Sequence, residues 1–177
     1  MRIYEGSPRQ DWEEVLRSIG AFVDRERMKE ILLLELDEGF ILQALGLPTS
    51  GARTEFEGML TKVTHELPDD EVAQLMDAAA ANRSEGPAET PHADISNYYE
   101  QAMRVIGAFI DGRKARDVFL FEQEGAFVLR LLMSAAGAGA AGHQLVEFTK
   151  EDILGMIEAA PQQRGGDAAG TPGETQT

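Results

Sequence analysis

The chain repeats itself. Sliding it by 87 positions lays Ser7–Gly46 over Asp94–Met133 without a gap, and 12 of the 40 aligned pairs are identical, where chance would give roughly two or three. The densest match sets Ile19-Gly20-Ala21-Phe22-Val23-Asp24 against Ile106-Gly107-Ala108-Phe109-Ile110-Asp111. A second block aligns at a shift of 81, pairing Leu67–Val72 with Phe148–Ile153, so the connection ahead of it is six residues longer in the first copy. Whatever elements the first half forms, the second half is expected to form in the same order.

Each copy opens with the spacing of one apolar helical face: Trp12, Val15, Leu16, Ile19, Phe22 and Val23 first, then Tyr99, Ala102, Met103, Ile106, Phe109 and Ile110. Ser7, followed by Pro8 and three residues ahead of Gln10, has a capping-box pattern. Asp94 holds the equivalent place in the second copy, so both helices are expected to start there. Ile31–Leu36 and Phe40–Leu45, joined at Asp37-Glu38-Gly39, read as a β-hairpin; Val118–Glu122 and Phe127–Leu132, joined around Glu124-Gly125, read as another. A third strand falls near 59–67 and near 144–148, followed by helices over 69–80 and 150–159. The predicted fold class is α+β: a tandem duplication of a unit made of a helix, a three-stranded antiparallel sheet and a helix, with the two repeats packed in pseudo-twofold symmetry. Residues 1–81 make the first repeat, 82–93 a linker and 94–161 the second repeat, while 162–177, without periodicity, is expected to be a disordered tail.

An antiparallel strand with one wet face alternates apolar and polar residues, and these strands do not. Leu32, Leu34 and Leu36 point to one side of the first strand while Ile31 and Leu33 point to the other; Phe119 and Phe121 oppose Val118 and Leu120 in the second copy. The second apolar face needs a cover, from the other repeat or from a partner chain. Packing between the repeats is the expected cover, a homodimer interface besides being the less favoured outcome, and Ile31, Leu33, Val118 and Leu120 are the candidate interaction surface.

Composition narrows the function classes. With 43% apolar and 27% charged residues the chain can bury a core. It has no cysteine, which removes disulfides, thiolate zinc sites and cysteine nucleophiles. No signal-like apolar stretch and no run of about 18 apolar residues occurs, so a cytoplasmic location is expected and no membrane partner. The formal net charge of −15 is shared by both halves and repels phosphate backbones, so no nucleic-acid partner is expected.

The strings that suggest chemistry fail on context. Gly137-Ala138-Gly139-Ala140-Ala141-Gly142 has the spacing of a dinucleotide-binding loop. Such a loop opens a helix whose N–H groups meet the pyrophosphate, whereas His143–Phe148 reads as a strand. His65, His92 and His143 lack the spacing of metal ligands, and Asp69-Asp70-Glu71 and Glu151-Asp152 read as favourable charge in a helix's first turn. Glu35 and Glu122 share one repeat position; they are either paired carboxylates of raised pKa or the wet edge of the sheet, and Gln43 and Arg130 at matching places on the next strand, as cross-strand partners, favour the structural account. No serine sits in a Gly-x-Ser-x-Gly elbow.

Basic residues do recur: Arg27 and Lys29 match Lys114 and Arg116 where each first helix hands over to its strand. They are the candidate anion-binding set, against the simpler account that cations at a helix C-terminus satisfy its dipole. Gly20 and Gly107 read as places where the helix approaches a neighbour closely. No cofactor is implied, and no catalytic or metal-binding residue is assigned.

An acidic chain of helix, antiparallel strands and helix is similar in architecture to YbjN-like proteins and type III secretion chaperones, a likeness carried by no motif. The expected function is a non-enzymatic protein-binding or adaptor role, chaperone-like, with a protein partner or self-association. The alternative is a sensor or enzyme for an anionic small ligand held between the repeats.

Overall fold

The structure, a computed structural model, describes residues 11–46, 61–85, 97–113, 115–133 and 142–160. Among them the order of elements is α1 (Trp12–Arg25), β1 (Lys29–Leu36), β2 (Gly39–Gly46), β3 (Thr61–Pro68), α2 (Asp69–Glu85), α3 (Tyr98–Asp111), β4 (Ala115–Gln123), β5 (Ala126–Met133), β6 (His143–Phe148) and α4 (Lys150–Ala159). Each half runs helix, three strands, helix. α2 continues to Glu85, so the first residues of the stretch expected as a linker are helical; the rest of that stretch and the tail 162–177 lie outside the described residues.

All six strands join one antiparallel sheet of order β3-β2-β1-β4-β5-β6. The seam between the halves is β1 against β4, paired at Leu32–Phe121, Leu33–Leu120 and Leu34–Phe119. Each inner strand carries one extra residue opposite its hairpin partner, between Lys29 and Leu32 in β1 and between Ala115 and Asp117 in β4. Such bulges bend and twist a strand. Glu30, inside the first, takes φ 50°.

One core lies between the sheet and the helices. Ile31, Leu33, Phe40, Leu42, Val118, Leu120, Phe127 and Leu129 meet Trp12, Leu16 and Ile19 of α1 and Met103, Ile106 and Ile110 of α3. Trp12 stands edge-on to Phe40 with ring centroids 5.8 Å apart. α2 reaches this core through Val72, Leu75 and Met76, and α4 through Ile153, Met156 and Ile157.

α1 and α3 run antiparallel and touch backbone to backbone, as the glycine positions foresaw. A Cβ built on Gly20 would stand 2.7 Å from the carbonyl carbon of Tyr99, and one on Gly107 2.6 Å from that of Trp12. Ser7 and Asp94, the expected caps, lie outside the described residues. The helices start later, at Trp12 and Tyr98, and neither Asp11 nor Asn97 makes a side-chain cap bond. Their first-turn N–H groups are satisfied across the pair. The Asp111 carboxylate accepts from Trp12 N at 2.7 Å and Glu13 N at 3.1 Å, and Asp24 accepts from Tyr99 N at 3.2 Å and Glu100 N at 2.8 Å. α4, by contrast, is capped locally: Thr149 Oγ1 accepts from Asp152 N at 3.1 Å while Asp152 Oδ2 accepts from Thr149 N at 2.9 Å.

Candidate interaction surface

Alternation along the strands decides which side chains meet the helices. In β1, Ile31, Leu33 and Glu35 are buried while Leu32, Leu34 and Leu36 are half-buried, and β2 alternates in the same way. The candidate surface set, Ile31, Leu33, Val118 and Leu120, is therefore turned inward, each residue no more than 1% exposed. Turned outward are Leu32, Leu34, Ile41, Leu45, Phe119, Phe121, Val128 and Leu132, all half-buried and none a member of the core. This corrects the expectation that the repeats cover each other's second face. They join edge to edge, which satisfies the backbone groups of β1 and β4, and all four helices pack on one side of the joint sheet.

The outward face has an apolar centre and a polar rim. At its centre Leu34 pairs with Phe119 and Leu32 with Phe121, and the two phenyl rings lie 5.5 Å apart. The guanidinium of Arg130 stands 5.5 Å over the Phe119 ring. On one edge strand Lys62, Thr64 and Glu66 lie opposite Leu45, Gln43 and Ile41. On the other, Leu145 and Glu147 lie opposite Arg130 and Val128. At 70% exposure Leu145 is the most exposed large apolar side chain among the described residues, and it extends the apolar patch to that edge.

Glu35 and Glu122 are not partnered by Gln43 and Arg130, which sit on the outward face. Each carboxylate instead continues the seam where the ladder stops. Glu35 Oε2 accepts from Val118 N at 3.1 Å, and Glu122 Oε2 accepts from Ile31 N at 3.4 Å and from the Tyr99 hydroxyl at 2.8 Å. Burial, reinforced by the Glu122 carboxylate, pushes the phenol of Tyr99 well above its ordinary value. The bonds to Val118 N and Ile31 N cross the joint between the halves, and the Tyr99 hydroxyl holds Glu122 in place from α3 of its own half.

Among the described residues, the backbone positions that carry the candidate cations are not brought together. Arg27 and Lys29 are exposed at the exit of α1, Arg116 stands near the start of β4, and Lys114 lies outside the described residues. Because β1 and β4 are antiparallel, the start of one lies level with the end of the other. That separates Lys29 from Arg116 by roughly 25 Å along the strands.

His65 packs edge-on against Phe22 at 5.2 Å, His143 is exposed at the start of β6, and His92 lies outside the described residues, as does the Gly137–Ala141 part of the glycine-rich string. Among the described residues no three of His, Asp or Glu are grouped as metal ligands, and no helix is long and apolar enough to cross a membrane. A shallow open groove beside α4 is lined by Phe109, Phe148 and Met156 and rimmed by Glu147, Glu151 and Asp152; these side chains offer no nucleophile paired with a base.

Set against known proteins, the chain matches no family model, no curated protein and no solved structure. No site residue is carried over from YbjN-like proteins or type III secretion chaperones.

Proposed function

We propose that this chain is a non-enzymatic association module that binds protein through the outward face of its sheet, with Leu32, Leu34, Phe119 and Phe121 at the centre. The observation that carries the reading is a six-stranded sheet covered by helices on one face and apolar on the other. An apolar patch inside a polar rim is the anatomy of a protein interface. The separation of the basic corners argues against an anionic ligand held between the halves. A cysteine-free chain fits a reducing compartment, and the cytoplasm is the location we assign.

We also infer that the two halves descend from one duplicated unit, with repeats at 1–81 and 94–161. In support, contacts across the joint come in pairs related by the shift of 87: Arg17 with Glu100 at 2.9 Å and Arg104 with Glu13 at 3.6 Å, and likewise Asp24 with Asp111, and Gly20 with Gly107.

The test replaces Phe119 with a photo-crosslinking phenylalanine analogue in the native cell. A protein adduct is expected there, absent when the analogue stands at the exposed turn residue Glu38 and lost when Leu34→Asp is added. No adduct at position 119, or equal labelling at both positions, removes the reading.

A further inference from the structure

We infer that the occupant of the outward sheet face is a second copy of this chain, so that two six-stranded sheets pack face to face in a homodimer. The inference rests on the association reading above and names its partner.

Size is the first reason. Six strands about 4.8 Å apart and about eight residues long, at about 3.3 Å per residue, present a face of roughly 750 Å². A stable interface of ordinary size buries about 800 Å² on each partner. A lone helix, about 10 Å across, would cover only a strip of it. What matches so broad and flat a surface is another sheet, packed at about 10 Å, and this chain carries one of the right dimensions.

Symmetry is the second. A twofold dimer needs a patch that complements itself. On this face the residues related by the shift of 87 are Leu32 and Phe119, Leu34 and Phe121, Ile41 and Val128, and Leu45 and Leu132. A twofold axis running along the seam sets Leu32 and Leu34 of one copy over the two phenylalanines of the other. Aliphatic then meets aromatic at the centre, the alternation of small and large that interdigitates well.

Charge is the third. The face carries Lys62 and Arg130 against Asp117, Glu66 and Glu147, so it is close to neutral on a chain of net charge −15. Burying it strands little unpaired charge. The acidic remainder of the two copies still repels, so added salt should tighten the dimer by screening that repulsion while leaving the apolar contact intact.

Sedimentation equilibrium of the full chain, from below 1 to above about 100 μM, tests this. Twice the chain mass is expected with a Kd below about 10 μM, tightening several-fold as salt rises. Leu34→Asp and Leu132→Asp, both outward and outside the core, should each weaken association about 100-fold, yet melt like the natural chain at concentrations where the natural chain is itself monomeric; two separate substitutions guard against one failing to fold. Leu154→Asp on α4 should leave the mass unaltered. A monomer at every concentration overturns the inference, and so does a dimer that both face variants leave at full strength. If the chain is monomeric yet position 119 crosslinks to another protein, self-association falls and the association reading stands. A monomer without that adduct ends both.

Discussion

Asp24, at the end of α1, accepts the backbone N–H of Glu100 at 2.8 Å, and so caps a helix that begins in the other half of the chain. Asp111 returns the bond to α1 through Trp12 N at 2.7 Å. Helices normally find this carboxylate or hydroxyl in the residue just before them. Here neither Asp11 nor Asn97 caps its helix with its side chain, so among the described residues the first donors find their side-chain acceptors only when the halves dock. Capping and docking are one event, and the ends of α1 and α3 report on the joint rather than on either helix alone.

The same arrangement predicts a pH dependence. Burial holds the Asp24 carboxyl up at about 6 from 3.8, more than its bonds to Glu100 N and Tyr99 N pull it down. A carboxyl whose folded pKa is raised binds its proton more tightly in the folded state. Its contribution is fully present below about pH 4 and is lost as pH rises through 6. Since Asp24 is only partly buried, solvent screening reduces the effect to roughly 1–2 kcal/mol. Asp24→Asn cannot titrate, so the stability of the natural chain relative to this variant should fall between pH 4 and pH 7 in urea melts. Parallel curves would mean that the carboxyl ionises as it does in water.

Gly20→Ala and Gly107→Ala should each cost about 3 kcal/mol or more. The added methyl would meet backbone of the opposing helix, with Glu100 Cα at 2.9 Å in one case and Glu13 Cα at 2.7 Å in the other, and backbone cannot rotate away. Gly112→Ala is the control, because nothing lies within 4 Å of its Cβ position and its φ of −75° suits any residue. That variant should be neutral or slightly stabilising. Equal losses at Gly112 and Gly20 would refute close helix contact as the cause.

Much of this was legible in the sequence for definite physical reasons. The helix and strand periods of Trp12–Val23 and Ile31–Leu45 are set by burial, so pattern alone located the elements, and the Gly20 and Gly107 positions pointed to the close crossing. What was not legible is relational. Pattern shows that β1 and β4 are apolar on both faces but not whether the halves would stack or join edges. Glu35, on the same face as Ile31 and Leu33, also marked the wrong side as the wetter one, because its carboxylate is used at the seam and not in water. The trans caps left no local signature: Asp24 and Asp111 stand at helix ends where the dipole disfavours acids.

Glu35→Ala should destabilise by about 2 kcal/mol. The Val118 N–H, at 3.1 Å from Oε2, lies one step past the last ladder pair and would lose its acceptor in a buried place. Glu35→Gln keeps an acceptor oxygen of the same reach and should recover at least half of the loss. Denaturant melts of the two variants check this. If Gln were as damaging as Ala, the negative charge rather than the hydrogen bond would be what holds the seam.

Arg27 offers a gain of stability. It follows the end of α1 at φ 53°, while Met28 N donates to Val23 O at 3.0 Å and Arg27 N to Asp24 O at 3.1 Å, the pattern in which helices favour glycine. A side chain in that left-handed conformation costs about 1 kcal/mol. Against this, a cation at a helix C-terminus is favourable by a few tenths of a kcal/mol when exposed, and Arg27 is exposed. The backbone term is the larger, so Arg27→Gly should stabilise by about 0.5–1 kcal/mol and raise the melting temperature by about 2 °C. Glu26→Gly, one residue earlier at φ −82°, should instead destabilise, because there the flexibility of glycine brings no relief. A fall in melting temperature for Arg27→Gly would reverse the ranking and return the Arg27 side chain to a role of its own.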